Sequence, residues 1–251
     1  MGAEQFKDHF SGHADQYARY RPVYPAALFD WLAEQCPATR RSWDCATGSG
    51  QAALALADHF KQVIATDASS AQIAKAIPAA AVDYRVGTAE NCGIDDASID
   101  LVVVAQALHW FDIKSFFSEV DRVLVPGGVL AIVSYNLLHV EPTIDAVINE
   151  LYDDVLEAFW PPERRMIEEA YASIDLAYPE ITVPRFSMQA EWNLASLLGY
   201  LDTWSAVQRY TRKMGRSPVE QVAESLAAAW GDPSLIRRIA WPLTVRVAVK
   251  S

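Results

Sequence analysis

The residues richest in chemistry form one short run, Trp43-Asp44-Cys45-Ala46-Thr47-Gly48-Ser49-Gly50-Gln51. Its glycines allow a left-handed backbone and let a ligand approach the main chain closely. The alanine-rich stretch from Gln51 predicts a helix whose free N–H groups point over the turn. A second acid, Asp67, ends the apolar run Val63-Ile64-Ala65-Thr66. Glycine turn, helix, strand and then a carboxylate is the layout of a Rossmann-type nucleotide site, where the acid takes ribose hydroxyls.

The type of nucleotide is less sharply specified. Gly48-Ser49-Gly50-Gln51-Ala52-Ala53 fits the dinucleotide fingerprint with a final alanine, which keeps a nicotinamide-dependent oxidoreductase open. Asp44 argues against it, because a carboxylate at the end of the first strand repels a pyrophosphate. S-adenosylmethionine carries an ammonium and a sulfonium and no phosphate, and an acid near the turn suits both. A sensor or scaffold that binds the nucleotide without an acceptor site is the non-enzymatic alternative.

These groups need a framework, and the sequence supplies one. From residue 41 the chain alternates strand and helix as a doubly wound sheet does. Strands are predicted at 42–45, 63–66, 82–86, 101–105 and 129–133, with helices at 51–60 and from Ser69-Ser70 to Pro78. A further helix carries Phe116, Phe117, Val120, Val123 and Leu124 on one face. Pro126-Gly127-Gly128 predicts a turn before the fifth strand. Residues 145–177 read as an inserted helical segment broken by Trp160-Pro161-Pro162, and 194–210 and 219–230 as helices. Period-two alternation at 185–192 and 243–249 predicts two antiparallel edge strands.

Ahead of the sheet, Pro25 opens a helix carrying Leu28, Trp31, Leu32 and Gln35, which stops at Cys36-Pro37. Before that, Phe10, His13, Tyr17 and Tyr20 follow helical spacing up to Arg21-Pro22. This segment reads either as a core-packing helix or as a lid over a bound cofactor. No repeat, low-complexity segment or linker divides the chain, so one domain is expected over 1–251. It comprises an N-terminal helical cap (1–40), a cofactor-binding core (41–135), a helical insertion (140–180) and C-terminal strands and helices (181–251).

Composition narrows the function classes. The chain has 251 residues, about half of them hydrophobic, and a formal net charge of −11. No lysine-arginine cluster offers the clustered cations that a nucleic-acid backbone requires. Cys36, Cys45 and Cys92 lack metal-type spacing, so no metal is expected, and their odd number fits a reducing compartment. No signal-peptide apolar region follows Met1, and Phe6 breaks the myristoylation pattern. No apolar run reaches membrane-spanning length. The expectation is a cytoplasmic protein with a small-molecule acceptor and no nucleic-acid or membrane partner. Oligomeric state is not encoded legibly.

Taken together, Asp44-x-Ala46-x-Gly48-x-Gly50, Ala65-Thr66-Asp67, Gln106-Ala107-Leu108-His109-Trp110-Phe111-Asp112 and Leu124-Val125-Pro126-Gly127-Gly128 resemble the class I S-adenosylmethionine-dependent methyltransferases. Ala46 stands where the first glycine of that motif usually does. These stretches, with the segments 17–25 and 203–206, are especially similar to the branch holding plant embryo-abundant-protein and fungal trans-aconitate methyltransferases. The resemblance implies a Rossmann-like, mostly parallel seven-stranded sheet with an antiparallel C-terminal hairpin and a helical lid. It implies S-adenosylmethionine as cofactor and methyl transfer to a small organic acceptor, at a carboxylate or hydroxyl oxygen.

Residue roles follow from the resemblance. Asp44, Ala46, Gly48 and Gly50 would hold the methionine half of the cofactor and Asp67 the ribose diol. Ala68, Thr88, Ala89 and Glu90 would line the adenine. Gln106 would pass its backbone near the ammonium, and Tyr17 and Arg21 would reach the carboxylate from the lid. His109, following the fourth strand, is the candidate catalytic base, since imidazole takes a proton near neutral pH. Trp110 and Trp204 are candidate substrate-binding residues. Arg164, Arg165, Arg209, Arg212 and Lys213 are cations that could receive an acidic acceptor.

Overall fold

A computed structural model of the chain describes residues 22–251. Helix α1 (Ala26–Gln35) buries Leu28, Phe29 and Leu32 and ends at Cys36, where Pro37 cannot continue a helical ladder. The strands are β1 (Arg41–Cys45), β2 (Gln62–Asp67), β3 (Val82–Val86), β4 (Ile99–Ala105), β5 (Leu124–Tyr135), β6 (Ser187–Trp192) and β7 (Arg237–Val249). They form a seven-stranded sheet in the order β3-β2-β1-β4-β5-β7-β6. Strands β1 to β5 pair in parallel, β7 runs antiparallel to β5, and β6 runs antiparallel to β7.

This is the Rossmann-like mixed sheet with a C-terminal hairpin that the sequence implies. One expectation is corrected: of the two strands expected at an edge, only β6 lies at one. β7 sits inside the sheet, with Ile239, Trp241, Val247 and Ala248 fully buried. Its alternation reflects two faces that both meet cover, since Trp241 and Val247 join one core layer and Ala248 the other.

β4 divides the molecule. Leu101 and Val103 face one layer, with α1 and α2 (Gln51–Leu56), while Val102 and Val104 face the other, with α4 (Ile113–Val123). All four are fully buried, and each such side chain contributes about 1.5–3 kcal/mol of transfer free energy. Continuous β-branched burial is what a parallel strand covered on both faces requires. At the N-terminal end of the sheet, buried Asp100 accepts from the backbone N–H groups of Arg40 and Arg41 and from the Arg40 guanidinium. That fixes where β1 begins against β4.

The remaining helices are α3 (Ser70–Ile73), α5 (Pro142–Asn149), α6 (Arg164–Glu168), α7 (Leu194–Asp202), α8 (Ser205–Met214) and α9 (Val219–Trp230). Several are shorter than the periodicity suggests. α2 stops at Leu56, and the chain turns through Asp58 and His59 to bury Phe60. The expected 145–177 helix is α5, a π-helical stretch (Glu150–Val155), a 3-10 turn (Glu157–Phe159) and α6. Pro161 and Pro162 lack the N–H that would continue it. The expected 194–210 helix divides at Thr203 and Trp204, with Trp204 in extended conformation. Pro126-Gly127-Gly128 lies within β5 as an irregularity, where pairing shifts between Ile99/Leu124 and Leu101/Val129.

Candidate active site

The site lies at the C-terminal ends of β1, β2 and β4, where the strand order reverses direction around β1 and β4 and helices leave opposite faces. Such switch points open a crevice. Two non-glycine residues hold it open in left-handed backbone: Ala46 (φ 56°) just beyond β1 and Gln106 (φ 59°) just beyond β4. Gln106 is held on both sides. Its side-chain amide donates to the Tyr135 carbonyl at 2.9 Å and its Oε1 accepts from the Tyr135 N–H at 3.0 Å. With the side chain so occupied and its N–H donating to the Val133 carbonyl at 2.8 Å, its own carbonyl is the part left to face a ligand.

The glycine run forms the turn the sequence predicts. Gly48 has φ 57° and Gly50 φ 90°. A side chain at Gly50 would place its Cβ 2.3 Å from the Tyr84 hydroxyl. Tyr84 reaches the turn because Asp44, Ala65 and Tyr84 share one row across β1, β2 and β3. The small side chain of Ala65 leaves room for the ring to lie over β2.

Asp44 is 1 % exposed. Its Oδ2 accepts the Thr47 hydroxyl at 2.5 Å, while Oδ1, like the Tyr84 hydroxyl, has no hydrogen-bond partner among the described residues. Burial raises its pKa to about 7, against the Thr47 hydroxyl and the Ala53 backbone of α2, which stabilise the anion, while Asp67 adds repulsion. A buried carboxylate with an open oxygen is costly until a cation or donor meets it.

Asp67 closes the other side. Its Oδ2 accepts from the Gly48 N–H at 2.9 Å and its Oδ1 from the Ser69 N–H at 2.8 Å. The carboxylate thus ties the glycine turn to the end of β2. Ala68 beside it is half-buried. Beyond β3, Thr88 is exposed and Ala89 buried, and Glu90 accepts from the Asp112 N–H at 3.1 Å. The loop is anchored by Cys92, whose N–H and thiol both donate to Glu119, itself held by Arg122.

The surroundings of the turn after β4 are aromatic. His109 and Trp110 occupy a 3-10 turn (Leu108–Trp110) after β4, and their rings lie 4.7 Å apart. His109 Nδ1 is 2.9 Å from the hydroxyl of Tyr171, a fully buried residue. Burial, with Arg164 adding repulsion, lowers the His109 pKa to about 3. Burial thus favours the neutral ring, the form in which an imidazole can accept a proton. Trp204 packs with Tyr152, Trp160 and Tyr200 at centroid distances of 5.7–6.1 Å.

Sequence reasoning did not single out Tyr84, Tyr152, Trp160, Tyr171 or Asn136. Each reaches the site through strand register or a long-range helix contact, which local spacing does not reveal. Tyr17 and Arg21 lie outside the described residues. Among the described residues no group of histidines, cysteines or acids could hold a metal ion, and no helix is long and apolar enough to cross a membrane.

Known proteins carry the same architecture. Residues 43–132 match the family model described as a methyltransferase domain. A Dictyostelium discoideum protein named as a methyltransferase is 32 % identical over 240 residues, covering 92 % of this chain and 91 % of that protein. The chain belongs to the class I S-adenosylmethionine-dependent methyltransferases. A solved structure from Anaeromyxobacter dehalogenans, described as a type II methyltransferase, has 43 % identity and a TM-score of 0.87. It covers 92 % of this chain and 98 % of that one. A Mycobacterium tuberculosis methyltransferase is 39 % identical over 127 residues, spanning 49 % of this chain and 51 % of its own length. Family membership makes this methyltransferase an enzyme, and S-adenosylmethionine is the cofactor of its family.

Proposed function

We propose that this methyltransferase, a single domain over 1–251, moves a methyl group from S-adenosylmethionine to an oxygen of a small organic acceptor, a carboxylate or a hydroxyl. Within the family we assign it to the branch of the plant embryo-abundant-protein and fungal trans-aconitate methyltransferases, on the similarity of the motifs around Asp44, Asp67, His109 and Gly127. The observation that carries the reading is the buried Asp44 carboxylate with its open Oδ1 below a left-handed glycine turn. That donor set fits a cationic, phosphate-free nucleoside and disfavours a pyrophosphate.

When bound, the cofactor supplies an electrophilic methyl carbon on a sulfonium, displaced in line. Asp44 and the Gly48–Gly50 turn would hold its methionine half, with the Gln106 backbone beside the ammonium and Tyr17 and Arg21 at the carboxylate. Asp67 would take the ribose diol, and Ala68, Thr88, Ala89 and Glu90 the adenine. Trp110 and Trp204 would wall the acceptor. Because the methyl carbon arrives activated, the protein contributes positioning and exclusion of water. His109, neutral and bonded to Tyr171, orients an acceptor oxygen, and a carboxylate acceptor needs no base.

The test is calorimetry with S-adenosylmethionine, S-adenosylhomocysteine and NAD, followed by a screen of small acids and alcohols for S-adenosylhomocysteine release. Binding of the first two and not NAD, with turnover on an oxygen acceptor, is expected. Preference for NAD, or methylation confined to nitrogen acceptors, would refute the reading.

A further inference from the structure

Arg164 opens α6, which packs on the 3-10 turn carrying His109 and Trp110. Its guanidinium is set across the C-terminal end of the sheet, next to the crevice. Nη2 donates to Asn136 Oδ1, one residue beyond β5, at 2.5 Å, and Nε donates to the Tyr152 hydroxyl at 2.9 Å. The carbon of the guanidinium lies 5.0 Å from the Trp160 ring centroid and 5.5 Å from that of Tyr152. All these partners are neutral. Glu168 is bonded to the Tyr152 hydroxyl, and Arg164 makes no ion pair among the described residues.

A guanidinium carries five N–H donors, and those two bonds leave the Nη1 amino group without an acceptor among the described residues. Other partly buried arginines of this chain are treated differently. Arg122 meets Glu119 and Asp96, Arg237 meets Glu141, and Arg246 meets Glu180. The other cations that the sequence nominates are also accounted for. Arg165 pairs with Glu169 in solvent, Arg209 reaches the Phe159 carbonyl, and Arg212 and Lys213 are exposed. A half-buried cation stacked on aromatic faces, held in orientation by neutral groups and without a counter-ion among the described residues, is built to receive a planar anion.

We propose that Arg164 is the specificity-determining receptor for an acceptor carboxylate. The inference rests on the methyltransferase reading and narrows its acceptor class. One guanidinium with neutral neighbours matches one negative charge. A phosphate dianion calls for more cations than the site holds, in a chain of net charge −11.

The experiment uses the full chain loaded with S-adenosylhomocysteine. Binding of cinnamate, benzoate and fumarate is measured by quenching of tryptophan fluorescence, beside cinnamamide, benzamide and phenyl phosphate. Wild-type protein should bind at least one acid tenfold or more tightly than its amide and than phenyl phosphate. Arg164→Gln should remove that preference while S-adenosylhomocysteine affinity stays within about twofold, and Arg164→Lys should restore part of it. If amides bind as well as acids to the wild type, or no acid binds, the inference is overturned, whether or not the variants fold. Failure to bind S-adenosylhomocysteine would instead refute the parent reading. Methylation of neutral acceptors with unchanged cofactor binding would refute only the role of Arg164.

Discussion

Asp44→Asn should make the ligand-free protein more stable and the cofactor complex weaker. In the folded chain burial lifts this carboxyl from its ordinary value of 3.8 to about 7. The sign follows from proton counts. Between pH 3.8 and about 7 the unfolded chain has released this proton and the folded chain retains it, so folding stability falls as pH rises through that window. The loss accumulates over about three pH units at about 1.4 kcal/mol each, which caps it at about 4 kcal/mol, constant above pH 7. Asparagine keeps the shape and can still accept the Thr47 hydroxyl, and it carries no charge to desolvate.

Urea unfolding of both proteins from pH 4 to pH 8 measures the gap. It should be near zero at pH 4, widen in favour of the variant up to pH 7, and then level off. Calorimetry at pH 8 should show S-adenosylhomocysteine binding weakened about ten- to a hundredfold, the worth of a lost charge-assisted hydrogen bond. A gap that does not change with pH, or a wild type more stable than the variant at pH 8, would refute the reasoning.

Gly50→Ala should destabilise by about 1–2 kcal/mol for its left-handed φ and by about 1–3 kcal/mol more for overpacking against Tyr84. Adding Tyr84→Leu should relieve only the second part, and strict additivity in urea denaturation would show that the two residues do not touch. Asp67→Ala should weaken S-adenosylhomocysteine binding by about 1–3 kcal/mol, and an unchanged calorimetric affinity would take Asp67 out of the site. For His109 the unfolded chain gains a proton below pH 6.5 and the folded chain only near pH 3, so stability should fall as pH drops between those values. His109→Asn should lose less stability over that range in acid titrations followed by circular dichroism, and equal losses would mean the imidazole is not buried neutral.

What the sequence determined by itself was local. The glycine turn, the acids at the ends of β1 and β2, and the β-branched run of β4 are read from neighbours within a few residues, because strand and helix periods are short-range. That was enough for the sheet's parallel core and the family. In the 145–177 segment the break at Trp160-Pro161-Pro162 was legible from the prolines, whereas the π-helical stretch was not, since apolar spacing does not separate it from an α-helix. β7 was misplaced at an edge because alternation records two environments and not which strand lies beyond. Only tertiary structure brought Tyr84 over Ala65 to Gly50, set Tyr171 on His109, and stacked Arg164 on Tyr152 and Trp160. Those pairings depend on register across strands and on contacts between residues far apart in sequence. The electrostatics depend on them too, since desolvation of Asp44 and His109 is decided by everything packed around them and not by their neighbours along the chain.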